Sequence, residues 1–303
     1  MVDVGATQER PASASDYLAL LKPRVMSLVV FTALVGYIAA PGAGDPVLGF
    51  AVVLAIAVAA GASGALNMWY DADIDTVMSR TRTRPIPAGR VSRDDALMLG
   101  LTLSALSVVT MQLAAGVLAA GLLAFTIFFY AVVYTMWLKR STPQNIVIGG
   151  LSGALPPAIA WAAKAGAAPL DAWLLVAIIF MWTPPHFWAL SLLSHKDYAD
   201  ARVPMLPVTH GAKSTRVHVF VYSLLLAPLG LAPVLTGLGG AIYGAVAAAG
   251  GAFFVFLAWR LLRSRAGEGD KAQAKPARDL FAFSILYLFV LFGALLVDRV
   301  VGA

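Results

Sequence analysis

Asn67, Asp71 and Asp75 stand four residues apart at the end of an apolar run, in the segment NMWYDADIDTVMSRTRTRP. In a helix each four-residue step turns the chain by about 400°, so successive side chains drift by only about 40° and stack on one face. Two carboxylates and an amide stacked this way make an oxygen-rich site suited to Mg²⁺, a hard cation that shares its shell with phosphate oxygens. Arg80, Arg82 and Arg84 follow at once, with the positive charge to hold an anion such as a diphosphate. Asp73 lies about 200° round the helix from Asp71 and is expected to face away. A lone aspartate at a membrane-helix end is usually an interfacial residue. Three oxygen ligands on one face, followed by an arginine cluster, point instead to a binding site.

A second acidic cluster reads TPPHFWALSLLSHKDYADARVPMLPV. Asp197 is its candidate metal ligand, with Lys196 and Arg202 beside it for phosphate. Asp200 follows at a spacing of three, just before a proline-rich stretch that makes helix geometry doubtful, so its role stays open. Cations held at the two clusters would grip a diphosphate from both sides, and the basic groups would neutralise the charge that builds as it leaves. Lys22 and Arg24 flank Pro23, which opens a helix; they either reach the anion or simply fix topology. Lys139 and Arg140 end another apolar stretch after Tyr134, as site contacts or as snorkelling cations. His186 follows Thr183-Pro184-Pro185 inside an apolar helix. It is either a packed, hydrogen-bonded histidine or a partner for the iron of a porphyrin, and the two prolines should interrupt the helical bonding above it.

The elements that position these groups are membrane helices. Of the 303 residues, 60% are hydrophobic and 13% charged, and the mean hydropathy is +0.80. That composition excludes a soluble domain. Cysteine is absent, which excludes disulfides and thiolate metal sites. Nine spans are read, at 24–40, 48–70, 96–113, 116–138, 143–163, 169–193, 217–236, 239–261 and 279–298. With the N-terminus inside, 20 of the 22 basic residues fall on the inner side and only Lys164 and Arg299 fall outside. The net charge of +6 is therefore a topology signal and not one for nucleic acid. The expected architecture is an all-α membrane bundle of nine helices around a central cavity, N-in and C-out. Residues 1–15 form a polar, disordered N-terminal segment without signal-peptide or presequence character, and 16–303 form a single domain. A bacterial-type cytoplasmic membrane is the simplest location, with the chemistry on its cytoplasmic side.

Two further patterns stand out. Pro85-Ile86-Pro87 with Gly89 and Ser92 is echoed by Pro204-Met205-Leu206-Pro207 with Gly211 and Ser214, which suggests two halves that bring acidic helix ends to one cavity. The segment RSRAGEGDKAQAKPARD reads as a solvated connector.

The nine-helix layout with NMWYDADID resembles the UbiA superfamily of intramembrane prenyltransferases. Within it, YLALLKPRV, NMWYDADIDTVMSRTRTRPIPAGRVS and HFWALSLLSHKDYADARVPMLPVTHG look like the haem branch, the protohaem IX farnesyltransferases or haem O synthases. The likeness runs from about residue 16 to the end. It implies that a farnesyl group passes from farnesyl diphosphate to protohaem IX (haem B), with water added, giving haem O and diphosphate. It also implies Mg²⁺ dependence, Asn67, Asp71 and Asp75 as the first motif, and Asp197 as the matched residue of the second. The second motif is commonly D-x3-D, whereas this chain has Asp197-Tyr198-Ala199-Asp200, so only Asp197 carries over and the role of Asp200 stays open. A haem A synthase or an assembling terminal oxidase is the implied partner. Two alternatives remain at this point: a prenyltransferase with another acceptor, such as a quinone precursor or chlorophyllide, and a membrane transporter.

Overall fold

Apolar residues fill almost every helical turn of this chain, and the computed structural model, which describes residues 12–269 and 271–301, is helical from end to end with no strand among them. Arg10 and most of the polar N-terminal segment lie outside the described residues. The first helix begins at α1 (Ala14–Leu20), where the Asp16 carboxylate accepts from the Ser13 amide at 3.1 Å and its hydroxyl at 2.6 Å. Lys22 then takes a left-handed φ of 50°, and α2 (Pro23–Ala39) starts on Pro23, bent by 55° from α1. This is where the fixed φ and missing N–H of proline are tolerated best.

The remaining spans follow in order. They are α3 (Pro46–Tyr70) with its short extension α4 (Ala72–Val77), α5 (Arg93–Ala115), α6 (Val117–Phe128) running into a π-helical segment (Phe129–Leu138), α7 (Asn145–Ala154) with α8 (Pro156–Ala165), and α9 (Leu170–Leu193) with α10 (His195–Asp200). The chain ends with α11 (Leu206–Leu235), α12 (Ala241–Leu262) and α13 (Lys275–Val301). Among the described residues eight helices are long and apolar enough to cross a membrane, and the bent α1–α2 pair makes nine. Neighbours in sequence pack side by side, and α13 closes the ring against α2, α9 and α12.

Lipid is as apolar as leucine, so close packing rather than water exclusion must hold these helices together. Small residues allow it. A Cβ on Gly36 of α2 would lie 2.4 Å from the Pro157 carbonyl oxygen of α8, and one on Gly149 of α7 would lie 2.2 Å from the Tyr134 ring. Helix α9 runs on through Pro184 and Pro185, but without N–H groups they cannot donate to the Phe180 and Met181 carbonyls, so the helical bonding is interrupted there. The Thr183 hydroxyl donates to the Ile179 carbonyl at 2.8 Å. One expectation changes: the 263–279 connector is anchored. Ala266 is fully buried, and Arg216 donates to its carbonyl at 2.7 Å and to Glu268 at 2.6 Å.

Candidate active site

Asn67 sits on the last turn of α3, Asp71 at the junction and Asp75 within α4. The junction is slight. The Asp71 amide still donates to the Asn67 carbonyl and the Asp75 amide to that of Asp71, both at 2.9 Å. The four-residue register therefore survives, and the three side chains are buried, at 5%, 0% and 1% exposure. Burying two carboxylates is costly unless each is paired, and each member of the triad meets its own cation. Lys22 Nζ donates to Asn67 Oδ1 at 2.7 Å, Lys139 Nζ donates to Asp71 Oδ2, and Arg84 Nη1 donates to Asp75 Oδ2 at 2.6 Å. Asp73 faces out, as its angle requires. The Arg140 fork grips both its oxygens at 2.7 Å and holds its carboxyl below the usual range. The same guanidinium lies 4.8 Å over the Tyr70 ring.

A divalent cation fits the triad. Asp71 Oδ1 is buried without a hydrogen-bond donor, and Arg140 Nη2 lies 3.5 Å from it. An orphaned carboxylate oxygen beside a second carboxylate and an amide oxygen is the donor set that hard cations take. Among the described residues no three Asp, Glu or His side chains gather at metal-binding spacing; the triad's third member is an amide.

The second cluster meets the first. Both oxygens of Asp197 on α10 accept from the Ser79 hydroxyl at 2.9 Å, and Oδ1 also accepts from the Ser79 amide at 3.3 Å. Beneath that contact Ile74, Met78, Ile146, Tyr198, Val203 and Met205 form a separate apolar cluster that joins α4 to α10. Arg80 lies beside Tyr198, whose burial pushes its phenol above the ordinary value. Lys196, Asp200, Arg24 and Arg82 are exposed on the same end of the bundle. The sequence reading missed Ser79, Thr81 and Thr135. The Thr81 hydroxyl donates to the Asp75 carbonyl at 3.0 Å, and Thr135 contacts Asn67. Neutral hydroxyls carry no charge pattern that would single them out.

His186 lies inside α9, its ring stacked between Trp182 at 4.3 Å and Phe281 at 4.7 Å. Its Nδ1 is 2.7 Å from the Ser284 hydroxyl, which itself donates to the Phe281 carbonyl at 2.6 Å. With that proton committed, Ser284 offers a lone pair, so Nδ1 carries the hydrogen and Nε2 is the ring's acceptor.

A membrane ring of helices with a buried N-x3-D-x3-D, facing a second acidic helix end, defines a class. The UbiA prenyltransferase family model matches residues 29–296, and the chain belongs to that family. Its relatives narrow the class. Protoheme IX farnesyltransferase of Hyphomonas neptunium is 61% identical, over 97% of this chain and 94% of the relative. The enzyme of the same name from Caulobacter vibrioides is 62% identical over 95% and 91%. Among solved structures, a digeranylgeranylglyceryl phosphate synthase superposes with a TM-score of 0.76 at 17% identity, over 94% of this chain and 98% of that one. A UbiA homologue from Archaeoglobus fulgidus, bound to GPP and Mg²⁺, does so with a TM-score of 0.67 at 18% identity, over 92% and 99%. These last two likenesses concern the fold.

Proposed function

We propose that this chain transfers the farnesyl group of farnesyl diphosphate to a vinyl group of protohaem IX, yielding haem O and diphosphate. The observation that carries the reading is the buried triad with a cation on each member, in a chain about 61% identical to protoheme IX farnesyltransferases. Asn67, Asp71, Asp75 and Asp197 would hold Mg²⁺, the ion bound with GPP in the Archaeoglobus fulgidus homologue. A divalent cation there would neutralise the diphosphate and make it a better leaving group.

The chain's own groups do the rest. Lys22, Lys139 and Arg84, which neutralise the triad, have alternative partners in phosphate oxygens, and Arg80, Arg140, Arg24 and Lys196 add positive charge at the same end. As the farnesyl C1–O bond breaks, its electron pair leaves with the diphosphate. The allylic cation is attacked by the haem vinyl group, and the new cation takes up water and releases a proton. No side-chain base is needed to drive the first step, and apolar helix walls keep water from the farnesyl cation. His186, with Nε2 as its open acceptor, is suited to a haem iron. Positive-inside counting supports a bacterial-type cytoplasmic membrane with the site on its cytoplasmic side, and haem O would pass to a haem A synthase or an assembling terminal oxidase.

The test is an assay of purified protein with haem B, farnesyl diphosphate and Mg²⁺, with mass detection. A haem product heavier by one farnesyl group and one water-derived hydroxyl is expected, and it should vanish in Asp71→Ala. Prenylation of a quinone precursor but not of haem would move the reading to another acceptor. Wild-type product formation by Asp71→Ala would remove the triad from the chemistry.

A further inference from the structure

Thr135 is fully buried in the π-helical segment that follows α6. Its hydroxyl donates to the Tyr130 carbonyl at 2.8 Å, five residues back, which is the carbonyl that a π turn brings over it. That commits its one proton. Toward Asn67 the Thr135 oxygen can only accept, and Asn67 Nδ2 approaches it at 3.2 Å while donating its other hydrogen to Asp71 Oδ2 at 2.7 Å. A flipped amide would set Asn67 Oδ1 against two acceptors at once. The amide oxygen is thereby turned away from Thr135, to the side where Lys22 Nζ meets it at 2.7 Å.

From this geometry we infer that Thr135 is a positioning residue for the metal-diphosphate site: it holds Asn67 with its oxygen, not its nitrogen, presented as ligand. The inference rests on the triad being that site. Asp71 makes the same demand on the amide, but its Oδ2 is already shared with the Lys139 ammonium and a bound metal would draw on the same carboxylate, whereas the Thr135 contact involves neither cation. Thr135 thus matters most when the site is loaded. The cause is the π segment, whose i−5 carbonyl takes the hydroxyl proton and leaves lone pairs for the amide.

The test uses the full-length protein in detergent, with Mn²⁺ as the probe read by electron paramagnetic resonance and inorganic pyrophosphate as the anion. Thr135→Val keeps the shape and removes the hydroxyl. It should weaken Mn²⁺ binding in the presence of pyrophosphate by between about three- and tenfold, the size of one neutral hydrogen bond, and Thr135→Ser should restore it. Thermal melting of each variant reports folding separately. Unchanged Mn²⁺ affinity in Thr135→Val, or a Thr135→Ser variant as weak as Thr135→Val, overturns the positioning role. A wild-type protein that binds no Mn²⁺ with pyrophosphate overturns the site assignment itself, and the inference with it.

Discussion

Lys139 and Asp71 show how charge is distributed at single residues. The Asp71 side chain is fully buried and that of Lys139 is 15% exposed, so neither charge is well hydrated and each depends on the other. Truncating one partner of a buried pair leaves the other uncompensated, at a cost of about 3–5 kcal/mol. Lys139→Met should therefore lower the melting temperature in detergent and also weaken diphosphate binding. A melting temperature equal to wild type would show that Asp71 is already neutralised by another group. His186 offers a separate residue-scale test. His186→Phe keeps the stack between Trp182 and Phe281 but removes Nε2, and it should abolish the spectral change that haem B undergoes on binding. An unaltered haem spectrum and affinity would leave His186 as a packing residue hydrogen-bonded to Ser284.

Elements, rather than single groups, decide how near these residues come to one another. Gly149 lets α7 lie against the Tyr134 ring, and Tyr134 belongs to the π segment that carries Thr135 and leads to Lys139. A methyl group at Gly149 would have to displace that ring. Gly149→Ala should shift the π segment and cut turnover by about tenfold or more, since small displacements of positioned groups cost that much. Activity and Mn²⁺ affinity both at wild-type levels would show that Tyr134 moves aside freely. The two basic residues that break the topological count have an element-scale explanation. Lys164 Nζ donates to the Ala40 carbonyl at 2.8 Å and Arg299 Nη2 to that of Ala39 at 3.1 Å. Both cap the end of α2, whose last carbonyls lack intrahelical partners and carry the negative end of its dipole.

At the scale of the whole molecule, the ring closes so that both acidic helix ends, the π segment and the α1–α2 bend share one end of the bundle. Charge asymmetry predicts that this end is cytoplasmic, and a chain without cysteine is well suited to testing the prediction. In intact cells a membrane-impermeant maleimide should label Ala43→Cys and leave Ala88→Cys unlabelled until the membrane is opened. The reverse pattern would invert the topology. Membership of the prenyltransferase family removes the transporter alternative. The acceptor question is narrowed by relatives of one name at about 60% identity, not by the triad, which any diphosphate-dependent member would need.

Much of this was legible in residue order because it depends on local physics. Apolar runs of spanning length, the four-residue step of the triad, proline at a helix start and the count of basic residues in loops are set by near neighbours in the chain. Asn67, Asp71 and Asp75 stack because of helical pitch alone, and Asp73 turns away for the same reason. What tertiary structure decided is long-range pairing: Lys22 with Asn67, Lys139 with Asp71, Ser79 with Asp197, Thr135 with Asn67, and Arg216 with the 266–268 segment. These pairs are remote in sequence, several use hydroxyls or backbone carbonyls that every helix offers, and which ones meet is fixed only when small residues let the helices close. The diphosphate chemistry was written in the spacing of one helix face; the partners of that face exist only in the folded ring.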